Sequence, residues 1–184
     1  MKIRSLIGVA FLMLCCVQGY GQRFSVSTNA VSYLNLGTLN VEASYAAARH
    51  WSVNAGAKYN PFTFNGKKGE FRNRQQSYNV GVRYWPWHTF SGWWIAAKAQ
   101  YQEYNAGGML SRETEEGDRW GGGVTAGYTY MVNPKFNVEF GLGLWAGVKK
   151  YVVYSCPTCG ITLDSGTKAF ILPNEIIIGV SYVF

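Results

Sequence analysis

Strict two-residue alternation, repeated in segment after segment, restricts this chain more than any other feature. Trp51, Val53, Ala55, Ala57 and Tyr59 fall on one side of an extended strand, and Ser52, Asn54, Gly56, Lys58 and Asn60 on the other. The C-terminus repeats the pattern, with Ile176, Ile178, Val180, Tyr182 and Phe184 opposed to Glu175, Ile177, Gly179, Ser181 and Val183. Reading the chain this way places eight strands, near residues 23–33, 39–46, 51–60, 77–85, 93–103, 120–131, 136–148 and 171–184. A helix presents one face every 3.6 residues, so the pattern fixes an all-β class.

Which face points inward is decided by what the two faces are made of. The apolar faces end in aromatics at both extremes: Trp51, Trp93, Phe136, Tyr182 and Phe184 toward one rim, and Tyr59, Tyr78, Tyr101 and Trp120 toward the other. Two such belts are expected where a barrel crosses the two interfaces of a bilayer. The opposite face is mostly Gly, Ser, Thr and Asn with about one charge per strand. Charged residues are only 15% of the chain against 48% hydrophobic, too few for the water-facing wall of a soluble barrel with an apolar calyx, the competing arrangement. The expected fold is an eight-stranded antiparallel up-and-down transmembrane barrel.

The N-terminus is set apart from this pattern. Lys2 and Arg4 precede an apolar stretch at 6–17, and Gly19 and Gly21 supply small residues where a signal peptidase reads. The stretch is shorter than the roughly 20 apolar residues of a spanning helix. We expect a signal peptide at 1–21, removed to leave the barrel domain 22–184. Leu14, where a small residue is wanted before Cys15, argues against lipidation. Losing Lys2 and Arg4 lowers the net charge from +7 to +5. With no basic run interleaved with aromatics, nucleic-acid binding is not expected.

Connections alternate in length. Those at 47–50, 85–92 and 132–135 are short, those at 61–76, 105–119 and 149–170 long, and the link at 35–38 is the exception. Short turns on one rim and long loops on the other are the outer-membrane arrangement. With apolar faces outward, the lumen receives Glu42, Lys58, Arg83, Lys98, Glu139 and Glu175, three bases and three acids. An eight-stranded lumen is just wide enough for side chains to fill, so these groups are expected to pair and close it. Lumen glycines such as Gly127 and Gly141 make room for Trp94, Trp145 and the long basic side chains. A narrow charged channel is the alternative.

The segments Thr28-Asn29-Ala30-Val31-Ser32-Tyr33, Arg49-His50-Trp51-Ser52-Val53, Tyr59-Asn60-Pro61-Phe62, Arg83-Tyr84-Trp85, Gln102-Glu103-Tyr104-Asn105 and Cys156-Pro157-Thr158-Cys159-Gly160 resemble the small Bacteroidetes-type outer-membrane barrels grouped as a domain of unknown function. The resemblance spans nearly all the mature chain and implies a barrel of OmpA/OmpX-like architecture in the bacterial outer membrane. It implies no activity and no catalytic residues. The terminal Tyr182 and Phe184 likewise resemble the assembly signal of such barrels.

Cys156 and Cys159 are the cysteines left after cleavage, and an exported chain meets an oxidising compartment, so a local disulfide is expected. Zinc would need two more ligands, and a redox role a helix N-terminus to lower a thiol pKa; neither is in view. Some eight-stranded barrels modify lipid A with a Ser, a His and an acid near the long loops. Here His50 and His88 both fall in turns of the opposite rim, so no enzyme is expected, and no cofactor or metal. The loop at 61–76 carries +3 through Lys67, Lys68, Glu70, Arg72 and Arg74. The next carries −3 through Glu103, Arg112, Glu113, Glu115, Glu116, Asp118 and Arg119. Both are read as solvated loops. The expected role is structural or surface-interaction, among outer-membrane lipids, lipopolysaccharide, the barrel-assembly machinery and an unidentified surface partner. A narrow channel or a lipid-modifying enzyme are the alternatives.

Overall fold

A computed structural model describes residues 22–66, 69–107, 113–156 and 160–184. The strands are β1 (Phe24–Asn29), β2 (Leu39–Ala48), β3 (Trp51–Asn60), β4 (Thr63–Gly66), β5 (Gly69–Tyr84), β6 (Gly92–Gly107), β7 (Thr114–Met131), β8 (Phe136–Tyr154) and β9 (Thr162–Val183), with one short helix, α1 (Ala30–Leu34). Neighbours run β3-β2-β1-β9-β8-β7-β6-β5-β4, all antiparallel in sequence order, and β3 also pairs with β5, which closes the sheet. β4 is a four-residue spur beside the start of β5. Eight strands therefore form the wall of an up-and-down barrel. None of the described helices is long and apolar enough to cross a membrane.

The polarity of the wall is the reverse of a soluble protein's. Val53, Val80, Val124, Phe140, Leu142, Leu144, Ile178 and Val180 are exposed on the outside, whereas Ser52, Asn54, Ser77, Asn79, Thr125, Thr129, Asn137 and Ser181 are buried inside. This excludes the apolar calyx. At the short-turn rim, aromatic rings pair across neighbouring strands all round the barrel: Phe24 with Tyr45 at 4.9 Å between centroids, Trp51 with Tyr84 at 5.0 Å, Trp93 with Tyr128 at 5.2 Å and Phe136 with Tyr182 at 4.9 Å. Each adds to the wall the extra attraction of tilted or edge-on rings. Tyr59, Tyr78, Tyr101 and Trp120, all exposed, mark the second belt. The eight steps from Trp51 to Tyr59 span about 20 Å of height at ~3.3 Å per residue and a tilt of about 40°.

Three expectations are corrected. First, 23–33 is not one strand. Asn29 ends β1, its side-chain Oδ1 accepting from the backbone N–H of Val31 and of Ile178 (both 3.1 Å), while its amide donates to the Ile176 carbonyl at 2.9 Å. Such a side chain caps a helix and occupies the neighbouring strand's edge at once. α1 follows, and Leu36 and Gly37, at φ +52° and +76°, return the chain to β2. The link at 35–38 is therefore only the end of a longer connection that includes a helix.

Second, the long loops are largely strand. β5 begins at Gly69, β6 runs to Gly107, β7 starts at Thr114, β8 ends at Tyr154 and β9 starts at Thr162. Together they extend the wall above the second belt as a projecting ribbon. β1 pairs with β9 only over Gly179–Val183, so the upper part of β9 has β8 as its one ladder among the described residues.

Third, the connection at 85–91 is no simple turn. Trp85 is fully buried and Phe90, at φ +67°, is buried beside it, the two rings 5.9 Å apart. With Trp94, Ala96, Ile177 and Val183 they make an apolar stopper inside the short-turn end.

Candidate functional site

The lumen's chemistry is set directly above that stopper. Inward positions of β2, β5, β6 and β8 bring Glu42, Arg83, Lys98 and Glu139 to one level. Arg83 Nη2 lies 2.7 Å from Glu42 Oε1 and Nη1 3.0 Å from Glu139 Oε2, while Lys98 Nζ lies 2.7 Å from Glu42 Oε2. Arg83 thus uses both terminal nitrogens on two separate carboxylates, which a lysine's single charged atom cannot do with the same geometry. Its guanidinium carbon also sits 4.0 Å from the ring centroid of Trp94 and 5.4 Å from that of Trp85, so the charged layer rests on the aromatic one.

The stopper is held by its own polar atoms. The Trp85 indole N–H donates to Ser52 Oγ at 2.9 Å, the Trp94 indole to Thr129 Oγ1 at 3.1 Å, and the Asn137 amide to the Phe90 carbonyl at 3.0 Å. Gly127 is what admits Trp94, because a Cβ there would stand 2.5 Å from Trp94 Cζ2. Beside the ion pairs is a cavity of about 40 Å³, bordered by Asn79, Lys58 and Gly179. That exceeds the roughly 10–15 Å³ needed to admit a single water. Lys58 borders this space with the four paired groups, and the side chain of Glu175 lies outside what the structure describes. Two bases and two acids meet directly. The sequence pattern supplies their inward direction but not their partners.

A second ionic cluster lies above the upper belt, on the inner face of the ribbon. Lys149 Nζ is 2.7 Å from Glu115 Oε1, Arg119 Nη2 is 3.6 Å from the same oxygen, and the Tyr104 hydroxyl donates to it too. Arg119 also stacks 3.6 Å over the Tyr104 ring. Burial pushes the Glu115 carboxyl upward, but the hydrogen bonds from Lys149 and Tyr104 and the charges of Lys149 and Arg119 outweigh it, holding the group below the ordinary glutamate range. Glu116 accepts from Asn105 at 2.8 Å and from the Tyr154 hydroxyl at 2.9 Å, and the Tyr101 hydroxyl donates to Glu103 at 2.9 Å and to Asp118 at 3.2 Å. The acidic segment is therefore bound into a sheet rather than loosely solvated. Lys67, Lys68 and Arg112 lie outside the described residues, as does Cys159, the expected partner of Cys156.

The histidines sit at the short-turn end. His50 Nδ1 is 2.9 Å from the Trp85 carbonyl oxygen, and Ser91 N–H donates to the His88 carbonyl. Among the described residues no three His, Cys, Asp or Glu side chains converge as a metal set. Tyr182 and Phe184 stack edge-on at 4.7 Å in the lower belt, and the Phe184 N–H donates to the Phe24 carbonyl, joining the end of the chain to its first strand.

A family model described as Protein of unknown function (DUF3575) matches residues 7–184. The chain belongs to that family. No curated protein matches it. For this member of DUF3575 the geometry supplies what the family description lacks: a small eight-stranded barrel, stoppered by Trp85, Phe90 and Trp94 and cross-linked above them by Arg83. Strand alternation does not reveal the stopper, although an aromatic-rich turn, Trp85-Pro86-Trp87-His88-Thr89-Phe90, is a departure from polar turn composition that signals it.

Proposed function

We propose that this protein is exported by its N-terminal segment, residues 1–21, and resides in the bacterial outer membrane as a non-enzymatic barrel whose projecting ribbon faces the exterior. The observation that carries the reading is the reversed polarity of the wall. A continuous apolar exterior between two aromatic belts far exceeds the few hundred Å² of contiguous apolar surface that a soluble monomer usually exposes. Outer-membrane lipids are its immediate partners and lipopolysaccharide surrounds the ribbon. Tyr182 and Phe184 present the end of the last strand to the barrel-assembly machinery. The role is structural or surface-interaction rather than solute passage, since Arg83 and its carboxylates span the lumen above a fully packed aromatic layer. Both histidines lie at the end opposite the ribbon, so a Ser-His-acid set has no imidazole there.

Three results are expected together. The mature protein fractionates with outer membranes, runs faster on a gel unheated than boiled, and gives no conductance steps in planar bilayers. Recovery as a soluble periplasmic protein without a heat-dependent shift overturns the location, and regular conductance steps overturn the closed lumen.

For the ribbon tip we propose a Cys156–Cys159 disulfide that shapes a contact surface without supporting the barrel. A ring closed over so few residues removes little chain entropy, well below the roughly 3 kcal/mol of a 15-residue loop. Cys156→Ser is therefore expected to keep the heat-modifiable folded band while reducing whole-cell adhesion or partner capture. Loss of the folded band makes the bond structural, and free thiols in protein isolated without reductant refute it.

A further inference from the structure

The short-turn end of the barrel carries side chains of one sign of charge. Arg23 at the entry to β1, Arg49 on the β2–β3 turn and Lys135 on the β7–β8 turn are all exposed, and none of the chain's 10 Asp and Glu residues lies on these segments or on the turn at 85–91. Among the described residues the α-carboxylate of Phe184 is the one anion at this rim. We propose that the rim binds the phosphate headgroups of anionic phospholipid in the leaflet that the short turns meet. The inference rests on the membrane reading above and adds to it a lipid class and the residues that select it.

Depth decides what these cations meet. Each stands one or two residues from an exposed ring of the lower belt: Arg23 beside Phe24, Lys135 beside Phe136, and Arg49 two before Trp51. At ~3.3 Å per residue that keeps their backbones within about 7 Å of the belt, and aromatic belts lie at the level of the lipid headgroups. The turns themselves are not built for open water. Trp87, on the turn at 85–91, is 60% exposed, and Val132, on the β7–β8 turn, 58%. Apolar side chains turned outward there hold this end in the interface, where the flexible stems of Arg and Lys carry their charges to the phosphates.

The three corners are tied to one another. The Gln22 side chain donates to the Pro134 carbonyl, the Val183 N–H to the Lys135 carbonyl at 2.8 Å, and the Ala46 N–H to the Arg23 carbonyl at 2.8 Å. Lys135, Arg23 and Arg49 therefore share one arc of the rim, along the consecutive strands β8, β9, β1 and β2. None of the three forms an ion pair among the described residues, whereas at the ribbon Lys149 and Arg119 both meet Glu115. A phosphodiester whose headgroup adds no positive charge is the complement to such cations. A zwitterionic headgroup brings its own ammonium, which competes for the same phosphate.

The test is native mass spectrometry of the protein folded in neutral detergent micelles, titrated separately with phosphatidylglycerol, phosphatidylcholine of the same acyl chains and inorganic phosphate. One Lys or Arg near an anionic lipid surface contributes about fivefold in binding. Phosphatidylglycerol is expected to bind about tenfold tighter than phosphatidylcholine, and the preference is expected to fall to about twofold or less at about 1 M salt, where charges are screened within about 3 Å. Arg23→Gln, Arg49→Gln and Lys135→Gln together are expected to abolish it. Arg74→Gln with Lys150→Gln, exposed cations on the ribbon side, is expected to leave it intact. Heat-modifiable migration checks that each variant is folded, and the salt dependence of the parent needs no variant. Equal affinity for the two lipids, a preference indifferent to salt, inorganic phosphate bound as tightly as phosphatidylglycerol, a preference that survives in the triple variant, or its loss in the ribbon variant each overturns the proposal. Those results leave the membrane reading standing. A protein that shows no heat-dependent shift and binds neither lipid removes that reading and this inference with it.

Discussion

Replacing Arg83 with Met is expected to destabilise the barrel by about 3–5 kcal/mol, the cost of breaking a buried ion pair by removing one partner. The substitution retains length and apolar bulk against Trp94 but removes the charge that holds Glu42 at 2.7 Å and Glu139 at 3.0 Å, both carboxylates being largely buried. Lys98 remains to compensate Glu42 at 2.7 Å, so the uncompensated charge is that of Glu139. It follows that Arg83→Met with Glu139→Gln loses less than the two single changes summed, because the pair of defects leaves one base and one acid in contact. Urea unfolding in detergent or lipid vesicles, read by the heat-modifiable band, gives all three values. Single changes costing under about 1 kcal/mol, the range of exposed pairs, overturn the closed lumen, since only bulk water in the barrel would screen the charges that well.

The legibility of the fold follows where water and lipid lie. Between the belts one side of each strand meets lipid and the other the lumen, so β3 reads as Trp51, Val53, Ala55 and Tyr59 against Ser52, Asn54 and Asn60, and its bounds are those expected from the residues alone. Above the belt that contrast disappears. Glu115, Glu116, Gly117, Asp118 and Arg119 are successive residues of β7 with no apolar phase, and they resemble a charged loop although their backbone continues to pair with Val153, Val152, Tyr151, Lys150 and Lys149. Hydrogen-bond ladders need no hydrophobic period once both faces are polar. The end of β1 hides for another reason: Val31 and Tyr33 continue the alternation by chance, while the event that stops the strand is Asn29 reaching Ile176 and Ile178 at the far end of the chain. In the lumen the sequence gives the inward direction of Arg83, Glu42, Lys98 and Glu139. Which of them meet depends on the height that eight registers assign to each.

Placing a lysine at Leu142 is expected to cost about 2–4 kcal/mol in a bilayer, the penalty for a cation at the midplane of a transmembrane barrel's outer face. Leu142 is the position to use. It is 67% exposed, lies on β8 midway between Phe136 in the lower belt and Val148, the register partner of upper-belt Trp120, and its neighbours Phe140 and Leu144 are exposed on the same face. A soluble protein would welcome the change, since it trades an exposed leucine for a charge. The sign of the effect therefore reports what the wall touches. Leu163→Lys supplies the comparison: Leu163 is also exposed, at 54%, but stands on the ribbon part of β9 beyond the upper belt. There a lysine can reach water, and the change is expected to stay within about 0.5 kcal/mol of the parent, as surface substitutions do. Unfolding of the two variants in vesicles and in buffer-soluble detergent micelles separates the cases, because a micelle deforms around a buried cation more readily than a bilayer does. Equal stability of the Leu142 and Leu163 variants in vesicles would remove lipid from the barrel's outer face and, with it, the outer-membrane reading.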